Sequence, residues 1–322
     1  AESRADLVRG KLGAAVPAAM GRLEALNLAR WQAGLVVHVA RGAARTQSSV
    51  EGPSSPVLIR SRPGPGFNAS RLLVVAEPGS DVTILREFAP GGPEGAPAHV
   101  NEVIEVFADA GSRVRLLVVQ ELDRRAVVHL TVRAEVGRDA RLDTIVLSLG
   151  GGAVKADVGA ILAGEGADSE SWGVVVGSGG QHHDHHTVHE HRAGRTRSNF
   201  DYKTGLSGRA RSVYTGVIRI ERDAPHCEAY QENRNLMLSE TAKADSIPEL
   251  EILNNEVRCT HGATMGPIEP EHVFYLESRG IPRPEATRLI VEGFVDKTLA
   301  RIPAALQPDL RARVIRRLEE AQ

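Results

Sequence analysis

The stretch VRCTHGATMG, residues 257–266, sets Cys259 two positions before His261. On a β-strand, residues i and i+2 share a face and lie about 6.5–7 Å apart. Cys259 and His261 then point the same way as Val257, close enough to hold a small ligand together. A thiolate beside a protonated imidazole has a lowered pKa and acts as both nucleophile and metal ligand. The competing reading is a structural thiol, because free cysteine packs as a small hydrophobe. The other cysteine, Cys227, follows His226 directly. Neighbours at i and i+1 face opposite ways on a strand, so Cys227 takes the structural reading.

A second stretch, QHHDHHTVHEH at residues 181–191, holds six histidines. Strand alternation turns His183, His185, His189 and His191 to one face and His182, Asp184 and His186 to the other. His183 and His185 are therefore a candidate metal-binding pair, since imidazole is a common ligand for zinc, iron or copper. This supports one functional class, a histidine-coordinated metal-dependent enzyme such as a cupin-like oxygenase or hydrolase. A hydrogen-bonded histidine ladder explains the run equally well, and no second cluster supplies the carboxylate and further histidine that such a site wants.

Other chemistries find no foothold. There is no G-x-x-x-x-G-K-[ST] and no G-x-G-x-x-G between strand and helix, so the chain carries no recognisable nucleotide site and ATP hydrolysis would fall to a partner. G-x-S-x-G is also missing. The net charge of −2 and the scattered 39 basic residues argue against nucleic acid or an anionic membrane as partner. Two cysteines in 322 residues read as free thiols of a reducing compartment, with cytoplasm the expected location. The charged N-terminus has no long apolar run, so no membrane segment is expected there.

The elements that must position these residues are mostly strands. Residues 1–33 form an expected helical segment, with helix over 2–30 and Leu7, Leu12, Val16, Met20, Leu23, Leu26 and Leu28 as the stripe that docks. From 34 to 268 the texture is short Val/Ile/Leu runs broken by Gly, Pro and Asp. The pattern A-x-x-G recurs from Ala76, Ala108, Ala134 and Ala163, at steps of 32, 26 and 29 residues, and predicts glycines at positive φ in tight bends. A period near thirty residues suggests a solenoid, best an irregular parallel β-helix, with a β-sandwich or barrel as the alternative. The aromatic content of 4% favours the narrow aliphatic interior of the former. Residues 269–322 predict a helical subdomain: EPEHVFYLESRG, then a helix presenting Ala286, Leu289, Ile290, Phe294 and Leu299, then one presenting Leu310, Val314, Ile315 and Leu318.

Taken together, the QHHDHHT strand, NRNLMLS, PELEI, CTHGATMG and FYLESRGI resemble the SufB/SufD family of iron–sulfur cluster assembly proteins. The likeness is dense from about residue 181 to 300 and thinner upstream, around ALNLARWQAGLVVHVARG. It implies a right-handed parallel β-helix core with helical N- and C-terminal regions, acting as a scaffold and not as an enzyme. It further implies pairing with a SufB-like subunit through the β-core, docking of a SufC-like ATPase on the C-terminal helices, and a transient iron–sulfur cluster built near the subunit interface. The SufB motif resembles C-x-H-E-A-T with further cysteines nearby. Here position 262 is Gly and VEGFVDK has no cysteine, so the chain leans to the SufD branch. Cys259 and His261 match the motif, with His261 the better candidate for the cluster-building interface, and the histidine run becomes a core strand. The chain is short for a SufD and starts at Ala, which suggests a trimmed, processed or compact form. A compact form would serve as a homodimer.

Overall fold

The computed structural model describes residues 5–43, 56–90 and 97–321. Sixteen strands alternate between two sheets. One holds β1 (Ala33–Val39), β3 (Gly66–Ala76), β5 (Ala98–Ala108), β7 (Val127–Val136), β9 (Ala153–Leu162), β11 (His182–His191), β13 (Arg211–Ile220) and β15 (Lys243–Ile252). The other holds β2 (Val57–Ser61), β4 (Asp81–Phe88), β6 (Arg113–Gln120), β8 (Arg141–Ser148), β10 (Asp168–Gly177), β12 (Arg197–Leu206), β14 (Glu228–Met237) and β16 (Arg258–Pro267). Every pairing is parallel and joins strands of successive coils, as in β11 with β9 and β13 or β14 with β12 and β16. The chain is a parallel β-solenoid, and the sandwich alternative fails because no antiparallel hairpin joins the described strands.

The corner that leads from the first sheet to the second explains the recurrent glycines. At each such corner but the last, from β15 to β16, one residue takes positive φ: Gly42, Gly79, Gly111, Asp139, Gly166, Arg195 and His226. Its N–H donates to a carbonyl of the next coil at 2.6–3.4 Å, from Gly42 to Pro78 through to His226 to Glu256. Turning the peptide this way pairs a corner N–H that a right-handed bend would leave stranded. Three of the four A-x-x-G glycines occupy this column. Gly137 does not, because the positive-φ position of that coil falls to Asp139, whose side chain tolerates it. Close approach is the other demand on glycine: a Cβ at Gly164 would fall on the backbone of Arg138 and Gly137. We expect Gly164→Ala to cost about 3 kcal/mol by overpacking against backbone that cannot move aside, measured by urea denaturation. A loss under about 1 kcal/mol would show that this corner is loosely packed.

Alternation along the strands divides the core. Inward residues of β3 to β9, such as Leu72, Val74, Ile104, Leu116, Val132 and Val158, stack into an aliphatic interior. From β10 onward the lumen becomes polar, with Ser169, Ser171, Thr187 and Gln231 buried beside Phe200, Tyr202 and Tyr214. The outward side of the second sheet is apolar where Leu117, Ile145, Leu147, Trp172 and Val174 meet the C-terminal helices.

Those helices are α3 (Pro270–Ser278), α4 (Arg283–Leu299) and α5 (Gln307–Glu319). Helix α5 buries Leu310, Val314 and Leu318 as its periodicity requires. Helix α4 differs from expectation, burying Ala286, Val291, Val295, Thr298 and Leu299 and leaving Leu289 exposed. Its buried stripe meets the second sheet and α5, where Val291, Val295 and Leu299 join Trp172, Val174, Leu310 and Val314 in one cluster.

The N-terminal segment also departs from the expected continuous helix. It resolves into α1 (Ala5–Val8), a 3-10 turn at Ala18–Met20 and α2 (Arg22–Arg30), broken by Gly10 and Gly13 at positive φ and by Pro17. Residues 2–4 of the expected helix lie outside the described residues. The docking face of α2 is reversed as well. Glu24 and Asn27 are buried, whereas Met20, Leu23, Leu26 and Leu28 are exposed. Glu24 accepts from Thr131 at 2.8 Å, and Asn27 Nδ2 donates to the Asn101 and Ser70 carbonyls at 2.9 and 3.2 Å. Polar groups left by the sheet in this region dictate which side of α2 lies down.

Candidate functional site at the open end of the solenoid

Strands β15 and β16 close the stack, each paired on one side only among the described strands. The last coil is consequently open, and its lumen-facing residues reach solvent. Cys259 and His261 sit on β16 with the same parity, in register with Ala229 and Gln231 of β14. Both register partners are buried lumen residues, so Cys259 and His261 share the lumen-facing side at its mouth. Cys259 is half-buried against the Phe200–Tyr214 cluster, together with Val257, and His261 is exposed.

This setting changes the expected thiol chemistry. Burial, followed by the neighbouring Cys227, pushes the Cys259 thiol up, only partly offset by a hydrogen bond to the Ala229 backbone. The lowered pKa anticipated from the C-x-H spacing is thus not what the site produces, and Cys259 rests as a neutral thiol at pH 7. Beneath His261 lies Gln231, 1% exposed, which crosses the lumen onto Gly216 where any Cβ would collide with it. Its Oε1 has no hydrogen-bond partner. That leaves an unused acceptor one coil below the mouth. On the outer side, a Cβ at Gly262 would meet nothing within 4 Å, so this position contributes open space and no ligand. Cys227 is fully buried, with Sγ 3.1 Å from Thr196 Oγ1 and near the Ala224 and Ala193 carbonyls. Its role is to fill and satisfy a corner.

The histidine run forms β11, with His183, His185, His189 and His191 inward at 0–2% exposure. His191 bonds Thr196 and Ser198 at 2.7 and 2.8 Å, and His189 bonds Ser169 at 3.0 Å. The rings of His183 and His185 stack 6.1 Å apart, and all four of their nitrogens lack a partner. Burial drives His183 down to about 3 and His185 and His191 to about 4, so all stay neutral. Asp184, which could serve as a third ligand, points to the opposite face and binds His186 and Lys155. Among the described residues no group of three or more His, Cys, Asp or Glu is placed to hold a metal ion. The arrangement does not fit a catalytic metal, which needs about three protein ligands and an open position.

Sequence reasoning missed Gln231 and the clasp that holds α5. Arg313 donates to Glu121 at 2.9 and 2.6 Å, and it pairs with Glu87 at 2.7 Å and Asp309 at 3.2 Å. Burial works against its charge, but Glu121 and Glu87 hold its pKa above the usual arginine range. With partners 192 residues apart, only the i, i+4 contact to Asp309 was open to detection from spacing.

Fold and site together define a class: a parallel β-solenoid, flanked by helices, with a cysteine–histidine pair on its terminal edge strand. The family description "SUF system FeS cluster assembly, SufBD core domain" matches residues 59–294. An iron-sulfur cluster assembly SufBD family protein of Mycobacterium tuberculosis is 32% identical over 268 residues, covering 80% of this chain and 65% of that protein. The iron-sulfur cluster assembly protein SufD of Bacillus subtilis is 30% identical over 286 residues, covering 88% of this chain and 63% of that protein. The chain belongs to the SufB/SufD family of iron–sulfur cluster assembly components. It spans just under two thirds of the length of these relatives. No helix among the described residues is long and apolar enough to cross a membrane.

Proposed function

We propose that the chain is a SufD-type, non-catalytic scaffold subunit. It pairs through the open end of its solenoid with a SufB-like subunit, and a nascent iron–sulfur cluster is held there as cargo between the two. The observation that carries this reading is the placement of Cys259 and His261 together at the lumen mouth, on an edge strand free to meet another chain. His261 is the principal ligand, because it is exposed while the Cys259 thiol is half-buried and pushed towards its neutral form. Gly262 supports the SufD branch, since it brings no carboxylate, and the remaining ligands come from the partner. Phe274, Tyr275 and Leu289 stand 71%, 57% and 38% exposed on α3 and α4, an apolar surface suited to a SufC-like ATPase, which would supply the ATP hydrolysis.

Co-expression with SufB- and SufC-type subunits tests this. A ternary complex should form with wild type and with His261→Ala, and His261→Ala should lower cluster absorbance per complex by at least about tenfold, as expected for loss of a ligand. His183→Ala/His185→Ala should leave the yield per folded complex unchanged. Failure to bind either partner, or an undiminished cluster with His261→Ala, would overturn the proposal.

A further inference from the structure

Between helix α5 and the corner loop that joins β6 to β7 lies a cleft of about 370 Å³, within the size range of small-ligand sites. Its charged side chains are unequally matched. Three carboxylates line it, and each already has a partner: Glu121 binds Arg313 at 2.6 Å, Glu320 binds Arg317 at 2.8 Å and Asp123 accepts from the Arg125 backbone at 2.8 Å. The arginines on the same walls outnumber these pairings. The Arg124 side chain makes no hydrogen bond or ion pair with another described residue. Arg316, 61% exposed, comes no nearer to a carboxylate than 3.9 Å, from Glu121. Arg317 is tied by Nε to the Leu149 carbonyl at 2.6 Å and by Nη1 to Glu320, which fixes its guanidinium and leaves Nη2 without a partner among the described residues.

The cleft thus holds two cations without close counter-ions beside a third whose plane is preset. Such groups repel one another unless an anion lies between them. Arg124 comes from the corner loop, whereas Arg316 and Arg317 come from α5, so they reach the cleft from two elements. A tetrahedral phosphate accepts guanidinium forks from several directions, while a carboxylate offers two oxygens in one plane. We propose that this cleft binds a small phosphate-bearing anion, with Arg124, Arg316 and Arg317 as its ligands. Bound there, the anion bridges the corner loop to α5 and fastens the helix to the solenoid alongside the Arg313 clasp. The site lies on the coil of β6, five strands along the second sheet from β16, so it is independent of the pairing proposed above.

Isothermal titration of the chain at about 0.15 M salt tests this with inorganic pyrophosphate, AMP and citrate. One site per chain is expected for pyrophosphate or AMP, and the tighter of the two tells a free polyphosphate from a nucleotide. Arg124→Ala and Arg316→Ala should each weaken that binding at least about tenfold, as expected for loss of a charge-assisted contact. Circular dichroism checks that both fold. Arg258→Ala removes an 83% exposed arginine at the end of the sheet and should leave binding within about twofold. Citrate carries the charge without the tetrahedral group and should bind at least about tenfold more weakly. In wild type, the bound phosphate probe should slow hydrogen exchange in α5. Absence of binding by pyrophosphate and AMP at about 1 mM, equal binding of citrate, folded Arg124→Ala and Arg316→Ala variants that bind as wild type does, or unchanged exchange in α5 would each overturn the proposal.

Discussion

Lowering the pH from 7 to 5 is expected to remove a large share of the protein's stability. His183, His185 and His191 are held neutral by burial, with pKa values near 3, 4 and 4, and His189 is shifted the same way. In the unfolded chain each would titrate near 6.5. Between the folded and unfolded values the unfolded state binds more protons, so stability is fully present above about pH 6.5 and falls as the pH drops towards 4. At pH 5 each of the three costs about 2 kcal/mol, or about 6 kcal/mol together, against a total stability of order 5–15 kcal/mol. Urea midpoints across pH 7.5 to 4.5 measure this. The unpartnered nitrogens of His183 sharpen the expectation, because His183→Leu removes polar atoms that bond nothing. It should be neutral or stabilising at pH 7 and should reduce the proton uptake on unfolding near pH 5 by about one. A pH-independent midpoint, or an unchanged slope in His183→Leu, would show that the lumen hydrates these rings.

Arg313→Ala is expected to release α5. The side chain is 9% exposed, and its loss leaves Glu87, whose side chain is 5% exposed, with Arg60 at 2.6 Å, and Glu121, at 22%, with Arg316 at 3.9 Å. Removing one cation from this shared cluster costs about 2 kcal/mol, because the remaining carboxylates keep their desolvation penalty with only Arg60 and Arg316 to offset it. Arg317, which donates to Leu149 O at 2.6 Å, remains as the other polar anchor, so the lesion should be local. Urea denaturation should register the loss, and hydrogen exchange should place it in α5 before the β-strands. Adding Glu87→Gln to an Arg313→Met background should recover part of the loss, since the more buried of the two carboxylates is then neutral and its other partner, Arg60, is 57% exposed and readily solvated. A cost within about 0.5 kcal/mol would mean the clasp is solvated and that Leu310, Val314 and Leu318 hold the helix unaided.

These two expectations differ in how far they could be read from the sequence. The inward set on β11 followed from alternation, a property of the extended backbone that needs no knowledge of neighbours. Its depth did not follow, because whether an inward side chain meets solvent depends on the coils stacked above and below. His183 and His261 both face the lumen, yet one is sealed and the other exposed, and only their places in the stack separate them. The clasp was tertiary apart from its i, i+4 contact to Asp309.

Local pattern also established the solenoid period, the common side of Cys259 and His261, and the family motifs that set Gly262 apart. It failed where two surfaces had to choose each other. On α2 the stripe of Leu23, Leu26 and Leu28 was legible, but Asn101, Ser70 and Thr131 on the sheet select Glu24 and Asn27 instead. The thiol of Cys259 shows the same division. Its spacing from His261 is covalent and local, whereas its pKa is set by desolvation and by Cys227 on the neighbouring coil, which exist only once the chain has wound.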